Sequence, residues 1–351
     1  MRISKLREAM LSLGLDAVII NGKANKIYFG GLGGSGVKLL ITKKSQYQIM
    51  DSRYINEANK NSKEFINIDY KDSFVKRVKE IFSKDRLFFL GLEGSHTLAK
   101  EYISYQDITS ELVLLNDEIE KIRGIKDLTE IDKIRKACEL TDFIFSEVIK
   151  EIKVGVTELD IAAKINYLAM TKGASGMSFD TIVASGYRSA MPHGRPTMKR
   201  LEKGDAVVLD FGVLLDGYQS DMTRTVFVEE ISDKMRSIYN IVLEAHLRGI
   251  KAIADGKVGK DIDSIARDYI EQTGYGEYFG HGLGHGIGMG GDIPILNKKS
   301  EDILEEGMVM SVEPGIYISG FGGIRIEDDV AIIDGKGVPL NKSSKEILIL
   351  K

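Results

Sequence analysis

Acidic residues and histidines cluster in four segments in the second half of the chain. The segment VVLDFGVLLDGYQSDMTRTVFV, residues 207–228, carries Asp210 and Asp221 on either side of an Asp-Gly turn signal. Counting outward from this turn places Asp210 opposite Thr223, so Asp221 becomes a diagonal neighbour of Asp210 on one face of a hairpin. Two carboxylates on an apolar face are costly unless they are paired or bind a cation. Two solvent-exposed acids on an edge hairpin are the alternative.

Histidines occur in two of the segments. The run GHGLGHGIG places His281 and His285 four residues apart, but the intervening glycines disfavour a helix and let the backbone pass close to a ligand. The run SAMPHGRPT places His193 in a loop restricted by prolines, where the imidazole is free to meet a substrate. A hydrogen-bonded core histidine is the alternative for each of them.

Two glutamates occur in β-branched runs near the C-terminus and are predicted to lie in strands. Glu313 belongs to SVEPGIYI and Glu327 to GGIRIEDD. Arg325 and Glu327 point the same way because side chains alternate along a strand. An inward Glu beside an inward Arg is either a structural ion pair or a metal ligand oriented by a neighbouring cation.

Together the segments predict five metal ligands on separate strands, namely Asp210, Asp221, His285, Glu313 and Glu327. Four carboxylates and one imidazole suit two divalent ions, with Mn²⁺ preferred and Co²⁺ or Zn²⁺ as alternatives. Two such ions, about 3.5–4 Å apart, would share a water and lower its pKa towards 7, which supplies a hydroxide nucleophile. A single-ion site would leave too many of these acids unexplained.

The elements that position these residues are predicted from hydrophobic periodicity. An amphipathic N-terminal helix, short strands and helical stretches alternate over the first 120 residues, which predicts an α/β domain. Thr129 or Asp127 can cap a helix that opens the next domain, so we predict domains over residues 1–120 and 121–351. The elements predicted are strands over residues 17–20, 38–42, 46–50 and 87–92, and helices over residues 55–62, 74–83, 143–152, 159–172, 234–254 and 262–273.

Composition argues against several classes of protein. The chain has 351 residues with 48 basic and 52 acidic side chains, a balance that argues against a nucleic-acid partner. Its single cysteine argues against a disulfide scaffold. No run of 18 apolar residues and no export signal occur, so we expect no membrane partner and a cytoplasmic location. Two G-x-G-x-x-G matches precede strand-like sequence instead of a helix, which argues against a dinucleotide site.

The order of the segments resembles the metallopeptidase family of Xaa-Pro aminopeptidases and prolidases. DSRYINEA at residues 51–58 is similar to an element of the family's N-terminal domain, and IRGIKDLTEIDKIRKA at residues 122–137 to the segment that enters the catalytic domain. VASGYRSAMPHG, LDFG, YQSDMTRT, GHGLGHGIG, VEPGIY and GIRIED then follow in the family's order. The resemblance implies an α/β (α+β) protein, with a creatinase-like N-terminal domain followed by a pita-bread catalytic domain.

The same resemblance implies roles for individual residues. Asp221 and Glu327 would bridge the two metals, and Glu313 would carry a proton from the bridging water to the leaving nitrogen. His193 and His281 would contact the peptide and stabilise the oxyanion, while Arg325 would orient the acidic ligands. The implied reaction is hydrolysis of Xaa-Pro bonds in small peptides with proline at the second position, by a homodimer.

One segment departs from the family pattern. Family members usually continue after the ligand histidine as GIGLExHExP, whereas this chain reads GIGMGGDIP and has no histidine after His285. Either Asp292 stands where that histidine would be, or one residue is deleted and Asp292-Ile-Pro294 replaces Glu-x-Pro. An arginine that often binds a dipeptide's carboxylate in prolidases is missing from residues 293–297, which favours aminopeptidase P over prolidase. A catalytically weak or inactive peptide-binding member of the fold is the alternative to an active enzyme.

Overall fold

The computed structural model describes residues 2–351 and divides into two compact units, with the boundary between Arg123 and Gly124. The elements of the first unit are α1 (Arg2–Ser12), β1 (Ala17–Ile20), α2 (Lys23–Tyr28), β2 (Val37–Thr42), β3 (Gln46–Met50), α3 (Ile55–Asn61), β4 (Ile66–Asp69), α4 (Phe74–Asp85), β5 (Leu90–Glu93), α5 (Ala99–Tyr105), β6 (Leu112–Leu115) and α6 (Glu118–Gly124). The strands form one mixed sheet in the order β4-β3-β2-β1-β5-β6. The α/β class predicted for this region is confirmed.

The second unit contains four long helices and several small sheets. Its elements are α7 (Leu128–Val148), α8 (Glu158–Thr171), β7 (Gly176–Met177), β8 (Ile182–Ser185), β9 (Ala206–Phe211), β10 (Val213–Leu215), β11 (Tyr218–Gln219), β12 (Met222–Val228), α9 (Asp233–Ala252), α10 (Gly259–Gln272), β13 (Gly284–Gly286), β14 (Asp292–Leu296), β15 (Val309–Val312), β16 (Gly315–Ile318), β17 (Gly322–Arg325), β18 (Asp328–Ile333), β19 (Lys336–Pro339) and β20 (Ile349–Leu350). The larger sheets have the orders β20-β12-β9-β8 and β14-β13-β15-β18-β19.

Helix α7 opens the second unit with the predicted Asp127 cap. The Asp127 carboxylate accepts the Glu130 N–H at 2.9 Å, and the Glu130 carboxylate accepts the Asp127 N–H at 3.1 Å, which forms a capping box. The prediction of a separate helix over residues 143–152 is wrong, because one helix continues to Val148. Thr141 does not interrupt it, since its hydroxyl lies 3.1 Å from the Ala137 carbonyl one turn earlier.

The predicted hairpin register is confirmed. Asp210 pairs with Thr223 across β9 and β12, and Leu215 pairs with Tyr218 across the turn. Asp216 and Gly217 at the turn have φ angles of 49° and 82°, the left-handed conformation that a two-residue hairpin of this type requires. The hairpin therefore follows from short-range sequence signals alone.

The two C-terminal glutamates lie at strand ends, so the prediction that each lies within a strand is wrong. Glu313 follows β15, where Pro314 lacks the N–H needed to continue the ladder. Glu327 lies between β17 and β18, and its N–H donates to the Thr223 carbonyl at 3.1 Å. This hydrogen bond ties the C-terminal segment to β12, the strand that follows Asp221.

The core of the second unit packs helices against the sheet that carries β13 and β15. Val242 of α9, Ala266 of α10 and Met310 of β15 belong to one cluster of fully buried side chains. Each large aliphatic side chain buried in this way stabilises the fold by about 1.5–3 kcal/mol. Among the helices formed by residues 2–351, none is both long and apolar enough to span a bilayer.

Candidate metal centre

One cavity of about 1310 Å³ in the second unit collects every residue predicted for the site. The predicted residues on its wall are His193, Asp210, Asp221, His281, His285, Glu313, Arg325 and Glu327. The five predicted ligands among them come from β9, β13 and the segments that precede or follow β12, β15 and β18. The predicted ligands therefore converge, although Asp210 and His285 alone among the five lie within strands.

Three of the predicted ligands form the closest group. Ligand atoms of Asp221, His285 and Glu327 all lie within 4.8 Å of one another. Nε2 of His285 is 3.7 Å from Oδ2 of Asp221 and 3.6 Å from Oε1 of Glu313. These separations are longer than direct hydrogen bonds and leave space between the donor atoms.

Buried carboxylate oxygens in the cavity provide a test of whether a cation fits. Within residues 2–351, Oδ1 of Asp210, Oδ1 of Asp221 and Oε1 of Glu327 are buried without a hydrogen-bond partner. An unpartnered buried oxygen is costly, and a charged one is more so. Oxygen-rich sets with one imidazole suit divalent cations of hard or borderline character. The donors present therefore fit such cations.

Burial and mutual repulsion act together on the acidic groups. Burial raises the pKa of Asp221 and of Glu327 well above their usual values, and nearby carboxylates raise both further. Burial also raises the pKa of Glu313. Carboxylates concentrated in this way must be neutralised by protons or by cations. Their arrangement favours cation binding for the same reason.

Arg325 anchors one side of the group. Its guanidinium donates to Oδ2 of Asp210, to the Thr223 hydroxyl at 3.0 Å, to the Tyr317 hydroxyl at 2.8 Å and to the Pro192 carbonyl at 3.1 Å. Burial opposes its charge, but the charges of Tyr317 and Asp210 raise the pKa of Arg325 well above its usual value. The guanidinium therefore remains charged and holds Asp210 in one orientation.

Thr223 connects this guanidinium to a second ligand. Its hydroxyl donates to Oε2 of Glu327 at 2.6 Å while accepting from Nε of Arg325. One buried hydroxyl thus fixes the orientation of Glu327. The sequence identified Thr223 as the cross-strand partner of Asp210, but gave no signal for this contact.

His281 lies beside Tyr317 at the cavity wall. Burial lowers the pKa of His281 to about 4, so its imidazole is neutral at neutral pH. Its Nδ1 is 2.8 Å from the Gly282 carbonyl and its Nε2 is 2.9 Å from the Tyr317 hydroxyl. A carbonyl cannot donate, so Nδ1 carries the proton and Nε2 accepts from Tyr317. Sequence analysis did not identify Tyr317.

A buried glutamate that the sequence analysis also missed holds the loop that carries His193. Oε1 of Glu158 accepts the Ser185 N–H and hydroxyl, both at 2.8 Å. Its Oε2 accepts the Thr197 N–H at 3.0 Å and the Thr197 hydroxyl at 2.7 Å. Arg188 donates to both oxygens at 3.2–3.3 Å. Glu158 therefore fastens both ends of the segment 185–197.

Asp329 supports the backbone of a predicted ligand. Its Oδ2 accepts the Asp221 N–H at 2.8 Å and lies 3.2 Å from Sγ of Cys138, the single cysteine of the chain. Burial raises the pKa of Asp329 to about 8. This contact joins α7 to the start of β12 and fixes the position of Asp221.

Asp292 does not take the place of a histidine in the cavity. Its carboxylate is buried, and Oδ2 accepts the Met289 N–H at 2.7 Å and the Gly290 N–H at 3.1 Å. Among the described residues, Gly290 and Gly291 line the cavity at this point and Asp292 does not. Asp292 stabilises the turn before β14.

Comparisons with known proteins show the family and the fold of this chain. Residues 132–334 match the model of metallopeptidase family M24, and residues 2–125 match the Creatinase/Prolidase N-terminal domain. The chain is 38% identical to an Xaa-Pro dipeptidase of Pyrococcus furiosus over 99% of both proteins. A solved Xaa-Pro dipeptidase from Bacillus anthracis superposes with a TM-score of 0.96 at 38% identity, covering 99% of each chain. An X-Pro aminopeptidase from Thermotoga maritima gives 0.89 at 36% identity, covering 96% of this chain and 98% of that one.

Proposed function

This chain belongs to metallopeptidase family M24, and from that premise we propose that it is a dinuclear-metal exopeptidase that hydrolyses Xaa-Pro bonds. The family resemblance, the metal-dependent hydrolase class and the creatinase-like and pita-bread architecture predicted from the sequence are confirmed. Our proposal adds the metal count, the ligands, the substrate and the roles of individual residues.

The buried oxygens without partners carry the proposal. We assign Asp210, Asp221, His285, Glu313 and Glu327 as the residues that would hold two divalent ions, with Mn²⁺ as the preferred metal. When bound, such ions would supply Lewis acidity and lower the pKa of a bound water towards 7. The separation between His285 and its neighbouring carboxylates, 3.6–3.7 Å, supports a cation between these groups.

Other residues of the chain bind the peptide and move protons. Glu313 is held by the Ser311 hydroxyl at 3.3 Å, and we assign it the transfer of a proton to the leaving nitrogen. We assign contact with the substrate to His193 and His281, and the stabilisation of negative charge on its carbonyl oxygen to His193. His281 has no N–H for that oxygen, because its Nδ1–H donates to the Gly282 carbonyl and its Nε2 accepts from Tyr317. Arg325 keeps Asp210 oriented, so its own role is positioning.

The substrate class follows from the relatives and from the chemistry of proline. The relatives include proteins named Xaa-Pro dipeptidase and X-Pro aminopeptidase, so we propose small peptides with proline at the second position. An Xaa-Pro amide has no N–H, so a pocket can enclose the ring without supplying an acceptor. Aminopeptidase P remains our preferred specificity, because residues 293–297 contain no arginine. A homodimer and a domain division near residue 120 also remain predictions.

A substrate series on the Mn²⁺-loaded protein tests this function. We expect cleavage of Xaa-Pro dipeptides or Xaa-Pro-Yaa tripeptides and none of matched Xaa-Ala peptides. Asp221→Asn leaves the shared ligand position one charge short and should lower kcat/KM at least a thousandfold, with loss of bound metal by elemental analysis. Activity of this variant within tenfold of wild type would contradict the ligand assignment. A protein isolated without metal and unaffected by Mn²⁺ would instead support a peptide-binding member without catalysis.

A further inference from the structure

A second cavity adjoins the metal cavity. It has a volume of about 700 Å³ and lies beside α8, the helix that begins at Glu158. Phe179, Asp180 and Arg195 line both cavities. The two spaces are therefore neighbours, and these three side chains form their shared boundary. We call the second one the α8 groove.

The walls of the α8 groove suit a short stretch of peptide. Leu159, Ala162, Ala163 and Met177 supply apolar surface, while Asn166 supplies an amide. Ala163 and Asn166 are exposed, so the groove is open to solvent from the helix side. Mostly apolar walls with a few polar groups are typical of sites that bind small ligands.

The loop between the cavities runs from the metal site to the groove. At one end the Pro192 carbonyl accepts from Arg325, which also holds Asp210. Three residues later, Arg195 pairs with Asp180 at 2.5 Å. His193, which we assign to the substrate, lies between these points. A peptide that passes His193 in this direction arrives next at Arg195.

Strand register limits the distance from the metal site to this ion pair. Ile182 of β8 pairs directly with Asp210 of β9. Asp180 lies two residues before Ile182, which places it at most about 7 Å from Ile182 along the chain. A substrate also extends by about 3.3–3.6 Å per residue, so its second residue after the cleaved bond ends about 7 Å beyond that bond. The carboxylate of an Xaa-Pro-Yaa tripeptide thus comes within reach of Arg195.

The Asp180–Arg195 ion pair opens at little cost. The two side chains are 75% and 78% exposed, and surface ion pairs of this kind contribute about 0–1 kcal/mol. Arg325, by contrast, is buried and already donates to four partners. Arg195 is therefore the guanidinium available to a substrate carboxylate, which it can bind through two parallel hydrogen bonds.

We propose that the α8 groove binds the residues that follow proline in longer substrates, with Arg195 binding the carboxylate of tripeptides. This inference rests on the proposed Xaa-Pro hydrolysis and specifies its substrate length. Wild type should cleave Ala-Pro-Ala and Ala-Pro-Ala-Ala-Ala better than Ala-Pro, because only the longer peptides reach Arg195 and the groove.

Filling the groove tests the proposal directly. Ala163→Phe should lower the kcat/KM ratio of pentapeptide to dipeptide at least tenfold on the Mn²⁺ enzyme. Ala99→Phe, at an exposed helix position in the first unit, is the matched control and should leave the ratio unchanged. Arg195→Gln should lower turnover of Ala-Pro-Ala about tenfold. It should leave turnover of the C-terminal amide of Ala-Pro-Ala unchanged, because the amide lacks the carboxylate that Arg195 binds. Calorimetry with EDTA-treated protein should show the same loss of pentapeptide affinity in Ala163→Phe.

The outcomes distinguish the groove assignment from the proposed Xaa-Pro hydrolysis on which it rests. Wild type that cleaves dipeptides alone, or Ala163→Phe with an unchanged ratio and unchanged pentapeptide affinity, would overturn the groove assignment and leave Xaa-Pro hydrolysis standing. Failure of wild type to cleave any Xaa-Pro peptide would overturn both.

Discussion

Replacing Glu158 with glutamine tests the network that holds the His193 loop. Glutamine keeps the shape of the side chain but replaces one acceptor oxygen with an NH₂ donor. Depending on how the amide turns, that NH₂ faces the backbone N–H of Ser185 or the backbone N–H of Thr197. The N–H that it faces loses its acceptor. The neighbouring hydroxyl can rotate and accept, so one buried N–H is left without a partner.

The expected loss of folding stability follows from the contacts of Glu158. A buried N–H without an acceptor costs about 1–3 kcal/mol, and a hydrogen bond to a charged group, here from Arg188, contributes about 1.5–3 kcal/mol. Because Glu158 is fully buried, solvent cannot replace either contact. Together the losses destabilise the second unit by about 2.5–6 kcal/mol. For a unit of this size that lowers Tm by about 5–24 °C.

Differential scanning calorimetry of the EDTA-treated protein measures this change without interference from metal binding. Glu151→Gln is the matched control, since Glu151 is an exposed carboxylate before α8 that pairs with Lys164 of α8 at 3.3 Å. That pair contributes at most about 1 kcal/mol, so its variant should melt near wild type. A fall in Tm of less than 3 °C for Glu158→Gln, or one equal to that of the control, would show that Glu158 does not hold this loop.

Three further predictions address the metal site, the turn before β14 and a buried amine. Thr223→Val removes the hydroxyl that orients Glu327 and should weaken Mn²⁺ affinity about 10–100-fold by calorimetry; unchanged affinity would contradict the orienting role. Asp292→His removes the acceptor of two turn N–H groups and should lower Tm without raising kcat/KM, whereas a gain in activity would count against a structural role. Burial lowers the pKa of Lys26 from 10.5 to about 8, so between these pH values the folded chain binds fewer protons than the unfolded chain. The free energy of unfolding of wild type, measured with urea, should therefore rise relative to that of Lys26→Met as pH rises from 8 to 10.5. A constant difference between the two proteins would show that Lys26 does not titrate in this way.

Local signals explain what the sequence predicts well. The Asp216-Gly217 turn sets the register of Asp210, because two-residue hairpins leave no freedom in the pairing. The residue types of the proposed ligands single them out in the sequence, since acids and histidines within apolar runs need a partner. Helix α7 illustrates the limit, because its cap is a local pattern, whereas Thr141 in its middle forms a hydrogen bond at 2.7 Å with Ser220, which is distant in the chain.

Local sequence patterns do not predict the roles of residues that act through distant partners. Glu158 reads as an ordinary acid in the first turn of a helix, and its burial becomes visible only when the segment 185–197 folds over it. Tyr317 and Asp329 likewise owe their roles to contacts with residues far away in the chain. Sequence patterns describe a residue's neighbours along the chain, whereas these roles depend on neighbours across the fold.

The hydrogen bond between Arg325 and Asp210 has a consequence for the synthesis of the protein. These residues are 115 positions apart, which the ribosome spans in about 6–23 s at 5–20 residues per second. Asp210 and Asp221 are made early in that interval, His285 and Glu313 follow within it, and the orienting guanidinium and Glu327 come last. A metal ion that meets the growing chain before His285 is made therefore finds only two of the five ligands we propose. Stable metal binding must therefore wait until the ribosome has passed Glu327. The order of translation thus delays activation of the peptidase until both sheets that carry the site have been made.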